Sequence, residues 1–286
     1  MVTAPVLLLA LTLGPSAQQP PEAINVQENV VYASVDGTDL HLDIYQPGAT
    51  AETHPAVILI HGGGWISGDK SNMRAMGQFL ARHGLVGFAV DYRLFQEKKN
   101  RWPAQLDDVQ RAVRWIRDNA AKYGVNPNEI GAFGHSAGAQ LAALLGMEDT
   151  RDNSDPALAK YSSRVQAVVD VSGPADFTTE RDPDGKAFLT AFLGGDYAHH
   201  AEIWREASPA FHASKAAAPF LIVHGTQDEN VPMAQSQELL DKLQSAGVSA
   251  SLIKVNDVHT FQTADAKRLL ALQTLAFFDR YLAAAH

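Results

Sequence analysis

The chain has 286 residues, a formal net charge of −9 at pH 7 and no cysteine. The missing thiols exclude disulfides and thiolate metal sites, and the scattered acidic residues argue against a nucleic-acid partner, which would call for clustered Lys and Arg. With 46% hydrophobic residues and no linker, repeat or low-complexity tract, residues 18–286 are expected to form one domain around a large core.

Val6 to Leu13 is an apolar run, followed by Gly14, Pro15 and small residues ending at Ala17. It is shorter than the ~20 residues of a membrane-spanning helix, so no membrane span is expected. It matches the apolar region of a secretory signal. Residues 1–17 are therefore expected to be a signal peptide and the protein to be exported, periplasmic or secreted. The Lys or Arg that usually precedes such a run is missing, and Pro15 lies close to the cut.

Val30–Val35 and Leu40–Tyr45 read as short strands around Asp36-Gly37, a hairpin signal. Ala56–Ile60 and Val86–Val90 are compact apolar runs suited to strands buried on both faces. A helix is expected over roughly Met73–His83. Pro103 opens another, with Leu106, Val109, Val113 and Ile116 at helical spacing. A short strand at Ile130–Phe133 precedes a helix at Ala137–Leu145. Then come a strand at Ala167–Val171, an irregular stretch to about Ala210, a strand at Phe220–His224, a helix at Ser236–Gln244, a strand at Ala250–Val255 and a closing helix at Arg268–Leu282. Alternating strands and helices imply an α/β fold: a mostly parallel central sheet, helices on both faces, and an antiparallel edge hairpin.

Gly134-His135-Ser136-Ala137-Gly138 has the form G-x-S-x-G and lies between a buried strand and a helix. There a tight turn can lift a serine hydroxyl above the sheet, provided its neighbours are small. A serine hydroxyl is a weak nucleophile and needs a base, itself oriented by an acid. In this arrangement the acid follows the serine along the chain and the histidine follows the acid. His199 and His200 come too early, His224 precedes the acid-bearing loop, and His286 ends the chain. His259, in the loop after the last strand, is the expected base. Asp228, in the loop after Phe220–His224, is the expected acid. Glu229 and Asp257 are its rivals, and Asp241 reads as helix surface.

His61-Gly62-Gly63-Gly64-Trp65 follows the strand Ala56–Ile60. Consecutive glycines let backbone N–H groups turn toward a developing oxyanion. Gly63, Gly64 and Ala137 are the expected donors. Trp65 and His135 are candidate pocket residues, with Trp102 a weaker one. The loop lacks the Gly-Lys-Ser/Thr of a phosphate cradle. No metal or organic cofactor is expected, because the histidines are not at ligand spacing and no HExxH occurs.

Taken in order, HGGGW, Asp91-Tyr92-Arg93-Leu94, GHSAG and His224-Gly225-Thr226-Gln227-Asp228-Glu229-Asn230-Val231-Pro232 resemble α/β-hydrolase esterases. The chain is similar to the hormone-sensitive-lipase-like acetyl esterases and, more closely, to the bifunctional feruloyl/acetylxylan esterase-like group. The resemblance runs from about Val26 to the C-terminus. It implies a serine carboxylic ester hydrolase acting through an acyl-enzyme on a small-molecule or polysaccharide-linked ester. It also implies structural roles for Asp91 and Arg93. Little sequence separates Ala17 from the first strand, so the N-terminal helical cap of hormone-sensitive-lipase-like members is expected to be absent. The segment from Pro174 to Ala210 could form a small lid, with Phe177, Phe188, Phe192, Tyr197 and Trp204 either lining a pocket or packing the insertion down. Two other functions share these motifs: amide hydrolysis, as in arylformamidases or peptidases, and a non-catalytic binding module on the same scaffold.

Overall fold

A computed structural model describes residues 23–48, 52–179 and 183–282. The apolar N-terminal run and the cleavage position near Ala17 lie outside the described residues. Eight strands form one sheet. They are β1 (Ile24–Val35), β2 (Thr38–Pro47), β3 (His54–Ile60), β4 (Val86–Val90), β5 (Val125–His135), β6 (Ala167–Val171), β7 (Phe220–Gly225) and β8 (Ala250–Val255). Their order is β1-β2-β4-β3-β5-β6-β7-β8. The pairs from β4 to β8 are parallel, and β1-β2 and β2-β4 are antiparallel.

Asp36 and Gly37 take φ of 50° and 76°, the positive values that let a two-residue turn match the twist of its strands. The hairpin extends further than the apolar alternation suggests, pairing Ile24 with Pro47. A register shift between Gln27 and Val30 interrupts the alternation. There Asn29 has φ 58° and donates its N–H to Asp43 Oδ1 at 2.8 Å.

Neighbouring residues of the central strands feed opposite faces of the sheet. Val57, Leu59, Phe133, Val169 and Val223 pack on one face with Leu80, Phe278 and Leu282. Those partners come from α1 (Arg74–Arg82) and α7 (Ala264–Tyr281) or its end. Ile58, Ile60, Ala132, Val168 and Ile222 pack on the other with Leu106, Val113, Leu141 and Leu239. These belong to α2 (Ala104–Asp118), α3 (Ala137–Met147) and α6 (Met233–Ser245). Every residue of α3 is buried, so this helix has no polar stripe.

The stretch between β6 and β7, expected to be irregular, contains two helices: α4 (Pro183–Leu193) and α5 (Tyr197–Glu206). Their signal is weak because Gly194-Gly195 separates them and α5 breaks at His200, whose φ is −134°. Buried Phe192 and Trp204 hold the pair down, and Trp204 Nε1–H donates to Gly195 O at 2.9 Å. α6 and α7 both start earlier than their apolar spacing suggests, because their first turns are largely polar or small.

Gly77 lies where α1 crosses β2. A β-carbon there would come 2.3 Å from the ring of buried Tyr45. Alanine would add about 1 kcal/mol of helix propensity, but the overpacking costs more, about 1–3 kcal/mol. Gly77→Ala is expected to lower stability in thermal or urea unfolding; an increase would show that the α1–β2 contact yields easily.

Candidate active site

Loops from the C-terminal ends of β3, β5, β7 and β8 converge beside the point where strand order reverses, the usual ligand crevice of open α/β sheets. Ser136 is the bend between β5 and α3, with φ 55° and ψ −121°. Such a conformation costs about 1–3 kcal/mol for a residue with a side chain. The bend is held because Ser136 N–H donates to Val171 O at 2.8 Å and Ser136 O accepts from Ala139 N–H at 2.9 Å. The residues two places before and after it must be glycine. A β-carbon on Gly134 would lie 2.1 Å from Gly138 O, and one on Gly138 would lie 2.2 Å from Ile60 O.

The structure brings Ser136, His259 and Asp228 into one hydrogen-bonded chain. His259 Nδ1 lies 2.6 Å from Asp228 Oδ2, and His259 Nε2 lies 2.8 Å from Ser136 Oγ. A carboxylate only accepts, so Nδ1 carries the proton and Nε2 accepts from the serine hydroxyl. Asp228 is almost wholly enclosed, its side chain 1% exposed. Its Oδ1 accepts from Asn230 and Val231 N–H, each at 2.9 Å. Burial alone would raise its pKa, but the N–H donors of His224, His259 and Val231 outweigh this and hold the carboxyl far below the usual carboxylate range. Asp228 is therefore an anion at any pH near neutrality.

The rival acids stand elsewhere. Glu229 and Asp241 are exposed. Asp257 is buried, but it serves the loop rather than the imidazole. It accepts from Val258 N–H at 2.8 Å, Gln262 N–H at 3.1 Å, Thr263 N–H at 2.9 Å and Thr263 O–H at 2.7 Å. Those side-chain and backbone bonds hold its carboxyl well below the ordinary range. Thr263 in turn caps α7 by accepting from Ala266 N–H. Asp257 thus pins the segment carrying His259, a role for which the sequence offers only the Asp-to-Thr spacing across the loop. His135, expected at the pocket, lines the cavity and also holds His259. Its Nε2–H donates to His259 O at 2.9 Å, and burial lowers its pKa.

Gly63, Gly64 and Trp65 have φ of 111°, 58° and 62°. Residues 91–95 brace this loop from behind. Tyr92 stacks on His61 at 4.3 Å and donates its O–H to His61 O at 3.0 Å. Phe95 N–H donates to Trp65 O at 2.7 Å, and Asp91 accepts from Lys70 N–H at 2.8 Å. Arg93 makes a two-pronged pair with buried Asp108, with contacts of 2.8 Å. The structural parts expected of Asp91 and Arg93 are those the structure gives them.

A cavity of about 460 Å³ opens over Ser136. Gly63, Gly64, Ala137 and His259 line it, with Trp65 and the insertion residues Phe177, Phe188 and Leu189 as apolar walls. Trp65 Nε1–H donates to Gln140 Oε1 at 3.1 Å, and Gln140 donates to Ala207 O at 2.8 Å, tying wall, helix and insertion together. Trp102 packs on Phe192 and does not line this cavity. Of the other insertion aromatics, Phe192 and Trp204 are packing residues, and Tyr197 sits against Trp204 at 5.9 Å. Among the described residues, no group of three or more His, Asp or Glu is placed to hold a metal ion, and no helix is long and apolar enough to cross a membrane.

Sheet order, serine bend and hydrogen-bonded chain together define a protein of the α/β-hydrolase fold. Residues 42–243 match the BD-FAE family, and the chain belongs to it. It is 31% identical over 201 residues to esterase LipC of Mycobacterium tuberculosis, covering 68% of this chain and 49% of that one. It thus spans about half the length of this relative and of two further mycobacterial ester hydrolases it matches. A butyrate-bound thermophilic esterase, Est2 of Thermogutta terrifontis, superposes with TM-score 0.77 at 26% identity, covering 94% of this chain and 98% of that one. A truncated carbohydrate esterase from gut microbiota gives TM-score 0.75 at 28% identity, covering 90% and 97%.

In Asp257→Asn the carboxamide NH2 takes the place of one carboxylate oxygen and faces donors it cannot accept from. The variant is expected to melt roughly 4–8 °C lower. Because the folded-state pKa is depressed, the aspartate's contribution is present above its ordinary pKa of about 4 and is lost as pH falls below it. The gap between wild type and variant, read by thermal melts from pH 7 to 3, should therefore narrow as pH falls below about 4.

Proposed function

We propose that this chain is a carboxylic ester hydrolase that works through an acyl-enzyme on Ser136. The observation that carries the reading is the unbroken chain from Ser136 Oγ through His259 to Asp228, with distances of 2.8 and 2.6 Å. His259 Nε2 takes the hydroxyl proton as Ser136 Oγ attacks the ester carbonyl carbon. Asp228, fixed as an anion, orients the imidazole and stabilises the imidazolium. The carbonyl oxygen becomes an oxyanion beside Gly63, Gly64 and Ala137. Ala137 opens α3, so its N–H has no acceptor within the helix and lies at the positive end of the helix dipole. His259 then gives its proton to the departing alcohol. In the second half it deprotonates water, which attacks the acyl carbon and releases Ser136.

We take the acyl group to be short-chain or aromatic, carried on a small molecule or on a plant polysaccharide. Trp65, Phe177 and Phe188 give the cavity flat apolar walls, which suit an acyl group of that size. The butyrate-bound and carbohydrate-esterase relatives point the same way. We further propose export, from the apolar run Val6 to Leu13; sequencing the N-terminus of protein recovered from the medium or periplasm tests it against retention of Met1.

Ser136→Ala is expected to lower kcat/KM on p-nitrophenyl acetate by at least about 10⁴-fold, and Asp228→Asn by about 10⁴-fold. Unchanged hydrolysis in the alanine variant would remove the mechanism. Acetylated xylan, methyl ferulate and p-nitroacetanilide, assayed in parallel, place the substrate and separate ester from amide cleavage. Since Asp228 is already ionised, its own proton loss should not limit the rate near neutrality. kcat/KM should rise with pH between 5 and 8, as a histidine base requires. A flat profile would remove His259 as base.

A further inference from the structure

Behind the acid lies a second histidine. His224, next to last in β7, is fully buried and precedes Asp228 by four residues. Its Nε2 lies 3.0 Å from Val231 O and 3.2 Å from Asp228 Oδ2. A carbonyl and a carboxylate both only accept, so Nε2 carries a proton and shares it between them. Its Nδ1 lies 2.6 Å from Ser236 Oγ on α6. In the neutral ring this nitrogen accepts, so the serine hydroxyl donates to it. Both ring nitrogens are thus satisfied in one tautomer, with Nε2–H aimed at the catalytic acid.

We propose that His224 is a positioning residue for the proton relay, its Nε2–H setting the orientation and basicity of the carboxylate that serves His259. The inference rests on the reading of Ser136, His259 and Asp228 given above. Asp228 Oδ2 receives two imidazole N–H groups, one from the base and one from behind. The second donor draws charge from the oxygen that faces His259. It also stops the carboxylate rotating about its Cβ–Cγ bond, because Oδ1 is already held by Asn230 and Val231 N–H. The charged and titratable groups facing His224 are Asp228, His259 beyond it, and Asp170 from β6. Burial pushes the Asp170 carboxyl up to about 6, and its Oδ1 accepts from Gly173 N–H at 3.0 Å. Ser236 and Val231 complete the enclosure as neutral partners.

The direction of the effect follows. Without the rear donor, the charge on Asp228 is less compensated, so the His259 imidazolium is better stabilised. The pKa of His259 then rises, and less of it is the free base at a given pH. A histidine that merely filled space would lower stability without moving this titration.

The test uses the full chain labelled with ¹⁵N-histidine, titrated by NMR beside assays on p-nitrophenyl acetate. In His224→Leu the His259 midpoint should rise by roughly 0.5–1 unit. At pH below that midpoint its kcat should fall roughly 3- to 10-fold, with KM little changed. His224→Gln places an amide N–H near the lost Nε2–H and should return the midpoint to the wild-type value. An unmoved midpoint in a folded His224→Leu, or a glutamine variant shifted as far as leucine, would overturn the proposal. Should the leucine variant not fold, the wild-type spectrum decides. A neutral His224 ring protonated at Nε2 supports the role, and protonation at Nδ1 alone overturns it. The titration needs no substrate, so a failure of the ester reading would show only in the assays.

Discussion

The bend at Ser136 depends on two backbones coming closer than any side chain allows. Gly134 and Gly138 face one another across the turn, and Gly138 also touches the carbonyl of Ile60 at the end of β3. That contact joins the strand carrying the nucleophile to the strand carrying the glycine loop. The same closeness that strains Ser136 sets its hydroxyl beside the loop amides. An ordinary helix start would turn the hydroxyl toward its own backbone as a cap. Here Ser136 makes no such side-chain cap, and its Oγ is left to the imidazole.

Around this point the polar groups work in layers. Ser136 faces His259, His259 faces Asp228, and behind Asp228 stand backbone amides and His224. Each layer fixes the hydrogen-bonding sense of the one before it, since a carboxylate or carbonyl can only accept. The loop carrying His259 is fixed twice more: by Asp257 along the chain, and by the His135 ring N–H donating to the His259 carbonyl. A buried network is stabilising only when its members are satisfied. In this site every nitrogen of His224 and His259, and both oxygens of Asp228, have partners.

Much of this was legible in the sequence, for identifiable reasons. The central strands are buried on both faces, so they stand out as unbroken apolar runs, and Asp36-Gly37 announces its turn by residue type. GHSAG and HGGGW are readable because their glycines answer a local demand that no other residue meets. The insertion was not legible. α4 and α5 are short, interrupted by Gly194-Gly195 and broken at His200, and they owe their form to packing on the body rather than to periodicity. The parts taken by Asp257 and His224 were hidden for a different reason. Each depends on which atoms meet across the fold, and a lone aspartate or histidine carries no mark of that. Its place in the chain, before the acid, excludes His224 as the base. The structure puts it two bonded steps from the serine's own partner.

The central claim is that Ser136 Oγ forms a covalent bond to the acyl group. Rapid quenching of the protein with p-nitrophenyl acetate, followed by peptide mass spectrometry, reads this directly. The account predicts a single acetyl adduct on the peptide containing Ser136, formed within the first turnover and lost as the ester is consumed. Hydrolysis at the full rate with the acetyl group on another residue, or with no adduct at any time, would contradict it.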